Sequence, residues 1–145
     1  MALTQALSAF NTLLFMGDGA VSENFIVVSE LKTVQGPSFA ADTIDVTTHN
    51  TTAPWHSYIV GLLDGGEISF DINFIPQAVT HSYTSGIVGD FARRIRRNWK
   101  LVYPDPDFTP WIMPGLLTSF EPSADPADVL MASTTVKVAG PPTFS

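Results

Sequence analysis

Polar and apolar residues alternate without a break from Glu67 to Phe74. Ile68, Phe70, Ile72 and Phe74 fall on one face of an extended chain, and Glu67, Ser69, Asp71 and Asn73 on the other. A period of two marks a strand with one face in a core and the other in water. After Pro76 the rhythm changes: Ile87, Val88, Phe91 and Ile95 stand at i, i+1, i+4 and i+8, the stripe of an amphipathic helix. Arg93, Arg94, Arg96 and Arg97 fall near the carboxyl end of that stripe, where cations suit the helix dipole. The stripe predicts one helix, with Phe91 as its core anchor.

The remaining pattern reads as strands. Phe25 to Val34 is a β-branched and apolar run stopped at Gly36-Pro37, and it predicts one strand. Thr43 to Thr48 predicts a half-buried strand with Ile44 and Val46 inward. Trp55 to Leu63 fits a strand or a helical turn and ends at Asp64-Gly65-Gly66. Trp99, Leu101 and Tyr103 alternate with Asn98, Lys100 and Val102, and that strand stops at Pro104-Asp105-Pro106-Asp107. Further strands are expected from Trp111, over Leu116 to Phe120 and over Met131 to Val138, with a loop from Glu121 to Asp128. Near the start, Leu3, Leu7, Phe10 and Leu14 allow a short helix, but Thr12 to Met16 before Gly17-Asp18-Gly19 fits a strand better. Gly140-Pro141-Pro142 cannot extend a strand, so residues 140–145 read as a surface arm, and residues 1–12 as a second arm at the other terminus. The expectation is a single domain over 1–145, mainly β, with strands around one α-helix.

Composition adds a constraint. Hydrophobic residues make up 45% of the 145 positions and charged residues only 14%, so the solvated surface is thin and subunit contacts are expected. The chain has no cysteine, which excludes disulfides and thiolate metal sites. A net charge of −7 opposes attraction to phosphate backbones and anionic membranes. The uncharged stretch Met1 to Gly17 is interrupted by Thr4, Gln5, Ser8, Asn11 and Thr12, too polar to span a bilayer. No Lys or Arg precedes Lys32, so the basic region of a secretory signal is missing and the segment reads as part of the mature protein. Of the 7 basic residues, Arg93, Arg94, Arg96, Arg97 and Lys100 form one cluster. A phosphate contact and a plain solvated face are both open readings. A contact between copies, where an acidic protomer needs countercharge, is favoured.

Catalytic chemistry is hard to build from these residues. His49 and His56 are seven apart with Asp45 nearby, and His81 is distant; the spacing fits no zinc or EF-hand pattern, so the histidines are expected to be exposed or capping. Asp105/Asp107 and Asp125/Asp128 lie beside prolines, where aspartate serves turns. Gly65-Gly66 and Gly17-Asp18-Gly19 lack the phosphate-loop pattern and its lysine. No enzyme, cofactor or metal site is expected.

The order of these pieces carries a resemblance. Gly36-Pro37, Thr43-Ile44-Asp45-Val46-Thr47-Thr48, Gly61-Leu62-Leu63-Asp64-Gly65-Gly66, the run Glu67 to Pro76 and the ending Thr134-Thr135-Val136-Lys137-Val138-Ala139-Gly140-Pro141 together resemble tail tube proteins of long-tailed bacteriophages, of siphovirus or gene-transfer-agent type. The resemblance spans roughly residues 13–142. It implies a β-sandwich or barrel flanked by a helix, built into hexameric rings that stack into the hollow tail tube delivering DNA. The implied partners are further copies of the chain and tail tip or baseplate, tape measure and tail terminator proteins, with DNA passing through unbound and no membrane. The implied place is the virion tail, after assembly in the host cytoplasm. It makes Thr47, Thr48, His49, Asn50, Thr51, Thr52, Ala53, Pro54, Trp55 and His56 an inter-subunit loop anchored by Trp55, against the alternative that Trp55 folds onto its own core. With the acidic balance, it makes Asp42, Asp64, Glu67 and Asp71 candidates for an acidic lumen. A monomeric or trimeric β-sandwich binding or decoration module of a virion, and a secretion-system tube subunit, remain the alternatives.

Overall fold

Strand β6 (Glu67–Asn73) lies where the alternation places it, with Ile68, Phe70 and Ile72 buried and Glu67 and Ser69 exposed. The computed structural model describes residues 6–19, 23–49 and 55–144. In chain order the other elements are β1 (Leu13–Gly17), β2 (Phe25–Val27), β3 (Leu31–Gln35), β4 (Ala40–Asp45), β5 (Tyr58–Asp64), α1 (Ile87–Arg93), β7 (Arg96–Val102), β8 (Pro110–Ser123), β9 (Met131–Val138) and β10 (Thr143–Phe144). One antiparallel sheet runs β2-β1-β7-β8-β9-β6-β3, with β10 added to β8, while β4 and β5 pair only with each other. Inward residues from β1, β6, β7, β8 and β9, among them Leu14, Phe70, Trp99, Met113 and Val136, join one core with Ile87 of the helix. The sheet is therefore curled on itself, and β1 comes close to β3 at the seam. The mainly β fold with one helix matches the expectation from the strand and helix patterns and from the resemblance.

Several boundaries differ for physical reasons. The run Phe25 to Val34 is two strands, because Glu30 turns the chain at a φ of 58°. That corner is pinned: the Ser29 N–H donates to Thr80 Oγ1 at 3.0 Å, and His81 Nε2 meets the Ser29 carbonyl at 2.7 Å. His81 is fully buried rather than exposed. Its Nδ1 accepts from the Ile75 N–H at 3.1 Å, so Nε2 carries the proton and one imidazole satisfies two loops. The two strands expected from Trp111 and Leu116 are one, β8, 14 residues long; its first half pairs with β7 and its second with β9, in a ladder interrupted by a bulge between Leu117 and Ser119. At the N-terminus the strand outcompetes the helix, with Leu14 and Met16 buried in β1 and Leu7 and Phe10 left exposed. The C-terminal arm is not wholly free: beyond Gly140-Pro141-Pro142, β10 returns to pair Thr143 with Ile112, and Phe144 packs edge-on against Trp111.

The helix is shorter than its stripe and presents another face. It stops at Arg94, whose left-handed conformation lets the Arg94 N–H bond the Phe91 carbonyl and the Ile95 N–H bond the Asp90 carbonyl, the paired closure of a Schellman end. Ile95 lies outside the helix, and Arg96, Arg97 and Lys100 belong to β7. Phe91 is 45% exposed and is not the anchor; Ile87 and Asp90 face inward. The buried carboxylate is tolerated because Arg97 grips it, with Nε and with Nη2 at 2.8 Å, while Nη1 reaches the Gly17 carbonyl at 2.8 Å. These hydrogen bonds, donated to Asp90, push the Arg97 pKa up, against the opposing effect of burial. One ion pair thus ties α1, β7 and β1 together.

Removing one partner of a buried pair strands the other charge, so Asp90→Ala is expected to lose about 3–5 kcal/mol in chemical denaturation, while the half-exposed Phe91→Ala loses far less. Thr134 is buried between Phe70 and Phe120, and its hydroxyl finds no hydrogen-bond partner among the described residues. Thr134→Val keeps the shape and removes the unsatisfied group, so a gain of about 1 kcal/mol is expected by the same measurement.

Candidate functional site

The β4–β5 hairpin stands off the body of the protein. Its root is a hydrogen-bonded neck: Ser38 N–H donates to the Glu67 carbonyl at 3.3 Å, Glu67 N–H donates to Ser38 Oγ at 3.1 Å, and Asp64 Oδ1 accepts from the Gly66 N–H at 2.9 Å. Gly66, at a φ of 69°, lies so close to the Ser38 carbonyl that a Cβ there would collide with it. Lys137 Nζ sits 3.5 Å from Asp64 Oδ1; the Gly66 N–H first and Lys137 second hold the Asp64 pKa below its usual value. A groove of about 810 Å³ opens beside this neck, lined by Phe39, Leu63, Val138, Pro141, Pro142 and Phe144 among others.

Every residue of β4 is exposed, and so is β5 apart from half-buried Gly61. The half-buried strand expected over Thr43 to Thr48 is therefore not covered by this chain. Register shows why that matters: Thr43 pairs with Val60 and Asp45 with Tyr58 on one face, while Ile44 pairs with Ile59 on the other. Apolar side chains thus stand on both faces, Leu62 is 82% exposed, and neither outer edge of the hairpin is paired among the described residues. An isolated two-stranded hairpin is marginal in water.

The far end of the hairpin is ordered by Asp45. Its carboxylate accepts from the Thr47 N–H at 2.9 Å and faces His56 Nδ1 at 3.5 Å, and the Ser57 N–H donates to Thr47 Oγ1 at 2.8 Å. Thr47, Thr48, His49, Trp55 and His56 of the expected loop are described; Asn50, Thr51, Thr52, Ala53 and Pro54 lie outside the described residues. Trp55 is 76% exposed, so it does not fold onto its own core.

The four acidic candidates are not one cluster. Glu67 and Asp71 share the outward face of β6, Asp64 sits at the neck, and Asp42 lies on the hairpin face of Ile44, opposite Gly61. Cross-strand rows extend that outward face: Thr33, Asp71, Ser133 and Glu121 in one row, Gln35, Ser69, Thr135 and Ser119 in the next, Glu67 opposite Lys137 in a third. Asp71 accepts from Thr33 Oγ1 at 3.0 Å and from Ser133 Oγ at 2.8 Å. The result is a sheet face of hydroxyls and carboxylates, with Glu121 and the countercharge Lys137 as members that sequence reasoning missed. The register that brings them alongside β6 joins residues more than forty positions apart, and only the polar-out alternation of β9 hinted at it.

The basic cluster is likewise divided. Arg97 is engaged with Asp90, and Lys100 lies between the rings of Phe15 and Phe25 at 5.1 and 4.9 Å. Arg96 donates to the Ala139 carbonyl at 3.1 Å, and Arg93 stacks on Tyr83 at 4.4 Å. Arg94 is exposed at the helix end. Among the described residues no group of three or more His, Asp or Glu is placed to hold a metal ion, and no helix is long and apolar enough to cross a membrane.

A family model described as lambda phage tail tube protein matches residues 13–145. The chain belongs to that family. Its role is accordingly structural, as a subunit of a tail tube. Among solved structures, the chain is similar to the tail of an empty gene transfer agent particle refined with C6 symmetry, at 21% identity and a TM-score of 0.79, covering 97% of this chain and 99% of that one. It is also similar to a chain in the virion of a native gene transfer agent particle, at 18% identity and a TM-score of 0.75, covering 97% and 99%. A chain of an extracellular contractile injection system, described as sheath/tube terminator in the extended state, matches at 13% identity and a TM-score of 0.71, covering 99% of both. These likenesses show a shared fold. Among curated proteins none matches the sequence.

Hydrogen bonds from the Thr47 side chain and then its N–H, with His56 adding, hold the Asp45 pKa below its usual value. A depressed carboxylate contributes order that is present at neutral pH and lost as pH falls through its folded-state pKa. The Thr47 amide signal in NMR is expected to titrate with a midpoint below that of an ordinary aspartate, and Asp45→Asn to abolish that step.

Proposed function

We propose that six copies form a ring and that rings stack into the hollow tube of a siphovirus or gene-transfer-agent tail, through which DNA is delivered. The observation that carries this reading is the hairpin: a pair of strands with apolar groups on both faces and both edges open has no core until other copies supply one. In the ring, the hairpin of one protomer lies against its neighbour, where β3 offers a sheet edge that pairs on one side only. Thr47 to His56 then reaches the adjoining subunit, with Trp55 as its anchor. The outward face of β6, with Glu67 and Asp71, turns to the bore together with Asp64 and Asp42. An acidic, hydroxyl-covered bore repels phosphate and gives DNA nothing to grip. Arg93, Arg94, Arg96, Arg97 and Lys100 supply cations at the contacts between copies, Arg97 from within.

On this reading the chain acts as a single domain without catalysis or cofactor. It assembles in the host cytoplasm, and the tail tip or baseplate, tape measure and terminator proteins complete the tail. Negative-stain microscopy of concentrated protein tests it, because rings and tubes with a central hole are expected and a uniform population of monomers or trimers would overturn it. A tube map with Asp42, Asp64, Glu67 and Asp71 all on the outer wall would overturn the acidic bore.

A single buried aromatic often anchors an interface, at about 2 kcal/mol or more on truncation. Trp55→Ala is therefore expected to melt within about 2 °C of wild type, since the ring touches little in the protomer, yet to yield no tubes. Normal tubes from this variant would remove the loop from the interface.

A further inference from the structure

Strand β7 joins two ends of the protein that carry charges without partners among the described residues. At its N-terminal end the helix closes on Arg94, which is exposed and whose guanidinium makes no hydrogen bond or ion pair among the described residues. Half-exposed Phe91 lies one turn before it, its carbonyl accepting from the Arg94 N–H. Its basic neighbours are engaged: Arg93 with Tyr83 and the Thr84 carbonyl, Arg96 with the Ala139 carbonyl. At the C-terminal end, the turn into β8 presents Asp107 and Phe108. Asp105 ties that turn shut, accepting from the Thr109 N–H at 2.7 Å and from the Thr109 hydroxyl, while the Phe108 N–H bonds the Asp105 carbonyl at 3.0 Å. These bonds, those from Thr109 above all, lower the Asp105 pKa, so the turn is locked at neutral pH.

Phe108 is held at a φ of 50°, a conformation unfavourable for a bulky residue, with its ring 66% exposed. Strain of this kind persists where the surroundings impose it, and here it aims an aromatic ring into water beside exposed Asp107, whose carboxylate has no partner among the described residues. The two ends are complementary: a cation with an aromatic at one, a carboxylate with an aromatic at the other. Strand β7 has 7 residues, which at about 3.3 Å each keeps the ends about 20 Å apart. They cannot meet within one protomer.

We propose that the Asp107–Phe108 turn of one copy docks on Arg94 and Phe91 of a second copy stacked on it, and that this head-to-tail contact joins successive rings. The inference rests on the tube reading above and names the axial surfaces that reading leaves open. A contact between unlike patches does not close about a two-fold axis; repeated along an axis without closing into a ring, it gives an open stack with one polarity. Complementary charge fixes the direction in which a copy adds, and the paired aromatics supply apolar area.

The test is a charge swap in the full chain: Arg94→Asp, Asp107→Arg and the double variant, read by pelleting and negative-stain microscopy, with thermal melting to confirm the fold. Each single reversal is expected to lower the tube yield at least about tenfold while rings persist, and the double variant to return it to within about twofold of wild type. Single variants that assemble like wild type, or a double variant that stays deficient, overturn the contact while leaving the tube reading intact. Failure of the wild type to form tubes overturns both. Should a reversal unfold the protomer, Arg94→Gln and Asp107→Asn carry the same test: non-additive losses in their double variant support the contact, and additive losses overturn it.

Discussion

A pair of strands that, among the described residues, bonds only to itself is marginal in water when it holds apolar groups out on both faces, and this constraint governs how the protein is organised. The body of the molecule is built to hold that pair in place. The neck formed by Ser38, Asp64, Gly66 and Glu67 fixes the hairpin's root. The curled sheet behind it supplies the rigid mount, with Val138 and Gly66 joined by a hydrogen bond at 3.0 Å. The thin charged surface seen in the composition has its explanation in the same place: Tyr58, Ile59, Val60, Leu62 and Leu63 are sequence hydrophobics with no intrachain core to join.

How far the fold was legible depends on where each residue's partner lies. Glu67 to Asn73 and Met131 to Val138 alternate cleanly because each packs one face on the chain's own core; the second was read at its bounds, and the first was read past its end at Asn73. Patterns failed where a polar group goes inward. Asp90 is buried against Arg97, so counting apolar positions turned the helix through the wrong angle and promoted Phe91. Glu30 broke an apolar run that no glycine or proline announced. Thr43 to Thr48 misled in the opposite sense: its alternation is real, but the core it anticipates is not in the same molecule.

The candidate surfaces were legible in part for the same reason. Glu67 and Asp71 could be placed on one face from local alternation, yet Glu121 and Lys137 join them only through the register of β8 and β9. The basic cluster was contiguous along the chain but not in space, because the strand that follows Arg94 sends alternate side chains to opposite faces. Arg97 goes inward to its carboxylate, Arg96 and Lys100 outward, and Arg94 stands exposed at the helix end.

Strand β8 spans two pairings in succession, with β7 along its first half and β9 along its second. Hydrogen bonds in antiparallel ladders run perpendicular to the strands. A pull along β8 that drags β7 one way and β9 the other therefore loads each ladder in shear, so that its bonds must give together instead of parting one after another from an end. The continuous strand makes the protomer stiff along that direction, while the bulge at Leu117 to Ser119 leaves one place where it can bend.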